Sequence, residues 1–212
     1  SSRERTSASI SLASASSSPA NNRNIGSADP DAEAAEVRRA LCAPVGSSRL
    51  KDVVKPGERV AVITSDITRP MPTYKVILPV LDELNSAGVP DENITVISAI
   101  GSHRRQTPEE HKKLVGTDAY RRVKVIDSDP NDCVRLGLTT RGTPVDITRT
   151  AAEADRRLLL GNIEFHYFAG YSGGAKAIMP GVSTRDAIQS NHSRMVEAAA
   201  CAGRLEGNPV RE

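Results

Sequence analysis

The sequence predicts an α/β fold: a Rossmann-like, mainly parallel sheet with helices on both faces. Two short β-branched runs, RVAVITS (59–65) and ITVISAI (94–100), have the composition of strands buried on both sides. Stretches of helical periodicity alternate with such runs, which is the pattern of βαβ units. At 212 residues the chain is long enough to enclose a sizeable core in one domain.

Taken in order, residues 1–30 are rich in Ser, Ala and Asn and almost devoid of large apolar side chains. That composition cannot offset the entropy of ordering, so the segment is set apart as disordered or artefactual. Residues 31–212 are expected to form the functional domain. DAEAAEVRRALCAP has helical spacing and ends at a proline, and RVAVITS follows as the first strand. The loop Asp66-Ile67-Thr68-Arg69-Pro70 leads to YKVILPVLDELNSAG (74–88), a helical pattern closed by Gly88 and carrying Pro79, which predicts a kink.

ITVISAI runs into Gly101-Ser102-His103, and Thr107-Pro108-Glu109-Glu110 opens a helix with a capping box and proline at its first position. VKVI (123–126), PVDIT (144–148) and LLLGNI (158–163) read as further strands. STRDAIQSNHSRMVEAAACAG (183–203) begins with a Ser-x-x-Asp cap and reads as one long helix.

Composition excludes several classes of function. The net charge is +2, and Lys and Arg are interspersed with Asp and Glu, so nothing calls for nucleic acid. The pairs Arg104-Arg105, Arg121-Arg122 and Arg156-Arg157 read as solvated faces. No apolar run approaches the ~20 residues of a membrane-spanning helix. Cys42, Cys133 and Cys201 are far apart and lack C-x-x-C spacing, which argues against a disulfide framework or a structural zinc site and for a reducing, cytoplasmic setting.

In doubly wound sheets, ligands bind beyond the carboxyl ends of the strands. Asp66, Arg69, His103 and His166 all follow predicted strands. Two imidazoles on one sheet edge suit proton transfer near neutral pH, whether in a racemase, a lyase or a hydrolase. Arg69 offers a bidentate fork for a carboxylate or phosphate, or else a loop-stabilising ion pair with Asp66. His111, on the charged run EEHKK, reads as a solvent-facing bystander.

The stretch GNIEFHYFAGYSGGAKAIMPG (161–181) holds four of the six aromatic residues, beside Gly173, Gly174 and Lys176. It fits neither G-x-x-x-x-G-K-[ST] nor G-x-G-x-x-G. An apolar wall there would lower the lysine's pKa and make it a nucleophile; the other reading is an exposed lysine on a glycine turn. Residue types alone leave both open. His192 could ligate a transition metal, but no ligand at i+4 accompanies it, so most of the coordination would have to come from an organic cofactor.

Together, Asp66-Ile-Thr-Arg69-Pro70, Gly101-Ser-His103-Arg104, the 161–181 stretch, Asn191-His192 and Gly207-Asn-Pro-Val-Arg-Glu212 resemble the nickel-dependent lactate racemase family. The resemblance implies that Lys176 tethers a nickel-pincer nucleotide through a thioamide. His192 would be the protein ligand to nickel, with Asp66, Gly173 and Gly174 in the cofactor-binding motifs. It further implies that His103 and His166 are the acid/base pair and that Arg69 contacts the substrate carboxylate. The implied reaction is racemisation of a small 2-hydroxy acid, lactate by default, through hydride transfer and a transient 2-keto acid. A C-terminal domain of the family is expected to complete the site, and its absence from this chain favours an alternative, a nucleotide-binding fragment without turnover. Epimerisation of a larger 2-hydroxy acid is a further alternative, and a zinc hydrolase is disfavoured by the ligand spacing.

Overall fold

The computed structural model describes residues 30–211; the segment set apart at 1–30 lies outside them except for its last residue. Four strands, β1 (Val60–Ser65), β2 (Ile94–Ala99), β3 (Lys124–Asp127) and, later in the chain, the strand Arg156–Leu160, form one wholly parallel sheet. Two further strands, β4 (Cys133–Leu138) and β5 (Pro144–Thr148), precede that last one, which is therefore β6. The sheet order is β3-β2-β1-β6. The chain thus winds outward from β1 and then returns to its other side, which puts the topological switch point between β1 and β6.

Alternation along each strand builds two cores. Val60, Val62, Val96, Leu158 and Leu160 point to one face, beneath helices α1 (Pro30–Cys42), α2 (Leu50–Val53), α3 (Thr73–Ser86), α4 (Pro108–Val115) and α5 (Thr117–Arg122). Ala61, Ile63, Ile97 and Leu159 point to the other, beneath the short helix α6 (Arg149–Glu153) and residues 177–182. Each fully buried Val, Leu or Ile contributes roughly 1.5–3 kcal/mol. That burial explains why α3 runs through Pro79: Val76, Ile77, Val80, Leu81 and Leu84 are all buried, outweighing the ~3 kcal/mol an interior proline costs. The capping box of α4 forms as its sequence predicts, with Thr107 and Glu110 exchanging bonds.

Three expectations are corrected. PVDIT is a strand but stands outside the parallel sheet, paired antiparallel with β4, whose sequence CVRLGL had shown no strand signal. The long helix at 183–203 is only α7 (Arg185–His192), followed by a 3₁₀ turn over Ser193–Val196. There the Ser193 hydroxyl donates to the Ser190 carbonyl and the Asn191 amide to the Val210 carbonyl, so side chains compete for helical backbone and tie α7 to the returning C-terminal segment. The arginine pairs are not simply solvated: Arg157 is buried and donates to the Ala152 and Ala154 carbonyls, and Arg122 bridges Asp82 and Asp91.

Candidate active site

Asp66 follows β1 directly and its side chain is buried. One carboxylate oxygen accepts from the Thr68 amide (2.8 Å) and hydroxyl (2.5 Å), closing an Asx turn. The other is bonded to Nδ1 of His103, which comes from the loop after β2. A carboxylate can only accept, so Nδ1 carries a proton aimed at Asp66, and Nε2 lies on the far side of the ring. Arg69, on the same turn as Asp66, is exposed and makes no ion pair among the described residues.

The second cluster lies after β6. Phe165–His166 (β7) and Gly170–Tyr171 (β8) form a minimal hairpin, and Gly174–Ala177 form a 3₁₀ turn that carries Lys176. Gly173 makes this possible. Its φ is +72°, and a Cβ there would sit 2.7 Å from the Asn162 carbonyl oxygen. Only glycine lets the turn lie against the strand exit in that conformation.

Phe168 is the hub. His166 and His192 both meet its ring edge-on, at centroid distances of 4.5 and 5.2 Å, and Lys176 Nζ lies 5.5 Å from its centroid. Lys176 Nζ is also 3.2 Å from His166 Nε2. The Ala169 amide donates to His166 Nδ1 (3.3 Å), so a neutral ring carries its proton on Nε2, the nitrogen that faces the lysine. Burial, with the charges of Arg211 and Arg69 adding to it, brings the Lys176 pKa down to about 8. Burial first, then the charges of Lys176, His192 and Arg69, bring His166 down to about 4. Burial also lowers His192, against the pull of the Ile188 carbonyl that accepts from its Nδ1 (2.9 Å). His192, the last residue of α7, therefore leaves Nε2 free.

The C-terminal segment closes this cluster. Arg211 donates to the Tyr171 carbonyl (2.9 Å), and Asn208 donates to the Phe168 carbonyl (2.9 Å). The backbone amide of Gly101 donates to the Gly181 carbonyl (2.9 Å), joining the His103 loop to the Lys176 turn.

The structure thus brings together Asp66 with His103, and His166 with Lys176 and His192; Arg69 joins the second group through its field. No hydrogen bond or ring contact links His103 to His166. Of the aromatic wall only Phe168 is buried; Tyr167 is exposed but stacks on His166 (5.1 Å between ring centres), and Phe165 is exposed. Sequence reasoning missed Arg211 and misread His111, which is half-buried and bonded through Nε2 to Asp127 (2.8 Å). Its i, i+4 neighbour Val115 is buried and faces the core, a signal that this helix face was not free. Among the described residues no three His, Cys, Asp or Glu side chains are grouped to hold a metal. A cavity of about 400 Å³ beside the β4–β5 hairpin is lined mainly by apolar residues such as Val145, Ile147, Leu159 and Ile178, and none of the candidate residues lines it.

The family model of the lactate racemase N-terminal domain matches residues 5–203. The chain belongs to the lactate racemase N-terminal domain family. A lactate racemase of Lactiplantibacillus plantarum is 34% identical over 74% of this chain and 38% of its own length. A lactate racemase of Thermoanaerobacterium thermosaccharolyticum is 36% identical over 82% of this chain and 42% of its own. The lactate racemase apoprotein structure from that organism superposes with a TM-score of 0.75 at 34% identity, covering 84% of this chain and 44% of that one. A Thermotoga maritima protein at 21% identity and a TM-score of 0.63 shares the fold. The chain therefore spans about two fifths of the length of the lactate racemases it matches. Among the described residues, no helix is long and apolar enough to cross a membrane.

Proposed function

We propose that this chain is the cofactor-anchoring and proton-transferring part of a racemase acting on a short 2-hydroxy acid, with lactate the default substrate. The observation that carries the reading is the convergence of a lysine amine, lowered to a pKa of about 8, with two half-buried imidazoles on one aromatic ring.

The donor set fits the nickel-pincer nucleotide that the family resemblance implies. Lys176 offers a neutral amine for an amide-type tether, and His192 a free Nε2 for the metal. Among the described residues no group of three metal-ligating side chains forms around His192, so in this reading the bound group supplies ligands of its own. Such a group would supply a hydride acceptor and donor, which no side chain can.

The chain's own residues handle orientation and protons. Arg69, exposed and unpaired, is free to take the substrate carboxylate in a bidentate grip. His103, its Nδ1–H held by Asp66, presents a lone pair to a hydroxyl proton, as an oriented base should. His166 is neutral at pH 7 while Lys176 stands beside it. Tethering through Lys176 would abolish the amine's charge, removing the largest nearby charge that disfavours protonated His166. Loading would thus make His166 a stronger base than it is beside the free amine.

The test uses the full-length protein expressed with the enzymes that make the cofactor, beside Lys176→Ala. Expected are interconversion of D- and L-lactate, nickel in the purified protein, and a mass adduct absent from the variant. An adduct without turnover on any short 2-hydroxy acid would leave a binding module. Neither adduct nor nickel would refute the anchoring role of Lys176.

A further inference from the structure

We infer that Gln106 is a positioning residue for the reaction, a cross-tie that fixes the Asp66 turn against His103. This rests on the base role assigned above to His103. The Gln106 side chain reaches the exits of three adjacent strands. Its Oε1 accepts from the Ile67 amide, in the turn after β1 (2.8 Å). Its Nε2 donates to the Ser98 hydroxyl near the end of β2 (2.5 Å) and to the Asp127 carboxylate at the end of β3 (3.1 Å). Its backbone amide donates to the other Asp127 oxygen (2.9 Å).

The amide's orientation is forced, because an N–H can only donate and a carboxylate only accept. All of its strong bonding positions toward the protein are used, and Asp127 is braced in turn by His111. Ile67 is the neighbour of Asp66, and Gln106 lies three residues beyond His103. One side chain therefore locks both partners of the His103–Asp66 pair to the same rigid strand ends. Neither partner is otherwise tied to β3.

Gln106→Leu removes every bond of the side chain. Gln106→Glu keeps the shape and makes the tie depend on protonation. A protonated carboxyl can accept from Ile67 and donate to Asp127, whereas a carboxylate can do neither donation and faces a second negative charge. The groups facing it are Asp127 of β3, His111 of α4, Asp66 with His103 across the turn, and the Arg105–Asp129 ion pair at the rim. Repeating the profile with His111→Gln added separates the new carboxyl from the imidazole on the same Asp127.

Both variants are made in the full-length protein. The readouts are the NMR resonance of the His103 Nδ1 proton and lactate interconversion between about pH 5 and about pH 8. In Gln106→Leu we expect that resonance to be lost to exchange and kcat/KM to fall about tenfold to a hundredfold. In Gln106→Glu both should return toward the wild-type level as the pH falls. A persistent His103 resonance with full turnover in both variants overturns the inference. So does a loss of turnover that leaves the resonance intact and does not recover in acid. If the wild type shows no turnover while Gln106→Leu still loses the resonance, the tie stands and the racemase reading fails.

Discussion

Lys176 Nζ sits 3.2 Å from His166 Nε2, with the His166 Nδ1 already accepting from the Ala169 amide. Between about pH 4 and about pH 8 the pair therefore carries one charge, held on the lysine, which disfavours a second on the imidazole.

Reactivity of the amine should reveal this. Labelling of Lys176 by an acylating reagent is expected to follow a midpoint near 8, well below the 10.5 of an ordinary lysine, as read by mass spectrometry of the labelled peptide across pH. Arg211→Met removes the first-named charge acting on the amine and should move that midpoint upward. A midpoint already at the ordinary value in the wild type would count against a desolvated amine.

Stability should carry the mark of His166. Its pKa is about 4 in the folded protein against 6.5 in the unfolded chain, so the unfolded state binds the proton first. Stability is therefore full above about pH 6.5 and is lost as the pH falls toward 4. Urea unfolding across that window should show the loss, and His166→Phe should flatten it; an equal slope in the variant would locate the effect elsewhere.

Phe168 is buried and touches all three candidate groups, so Phe168→Leu should act on chemistry more than on folding. A loss of about 1–3 kcal/mol in urea unfolding is expected. The Lys176 labelling midpoint should rise as water enters. A midpoint that stays near 8 would show that charges alone, without the ring, hold the amine down.

Gly170→Ala should be among the most damaging small changes in the chain. The residue has φ +77°, and an added Cβ would lie 2.0 Å from the Arg204 carbonyl oxygen, a backbone atom that cannot swing aside. The backbone strain alone costs about 1–3 kcal/mol, with the clash in addition. Thermal unfolding read beside Gly57→Ala, where φ is +76° but nothing lies within 4 Å, separates the two contributions. Equal losses would mean that the 170–204 contact yields easily.

The parallel sheet was legible because β1, β2 and β6 are largely buried on both faces and rich in Val, Ile and Leu. CVRLGL, half-exposed and interrupted by Arg135 and Gly137, gave no such signal, so the antiparallel partner of PVDIT was not seen. Asp66, His103, His166, Lys176 and His192 could be picked out because each stands at a strand exit, on the glycine turn or in the following helix. Their grouping could not, since it depends on Phe168 being turned inward while its neighbours Phe165 and Tyr167 face solvent. Gln106 and Arg211 were invisible for a related reason. Their roles rest on bonds to groups distant in sequence, the Ile67 amide, Ser98 and Asp127 for Gln106 and the Tyr171 carbonyl for Arg211, which spacing along the chain does not record.

The bonds from Asn208 and Arg211 back to Phe168 and Tyr171 each span 40 residues of chain. During synthesis the sheet can close as soon as β6 leaves the ribosome, yet the pocket around Lys176 must wait for a segment made seconds later. A chain that ended before Asn208 would keep every strand of the parallel sheet and lose both clasps on the 168–171 turn.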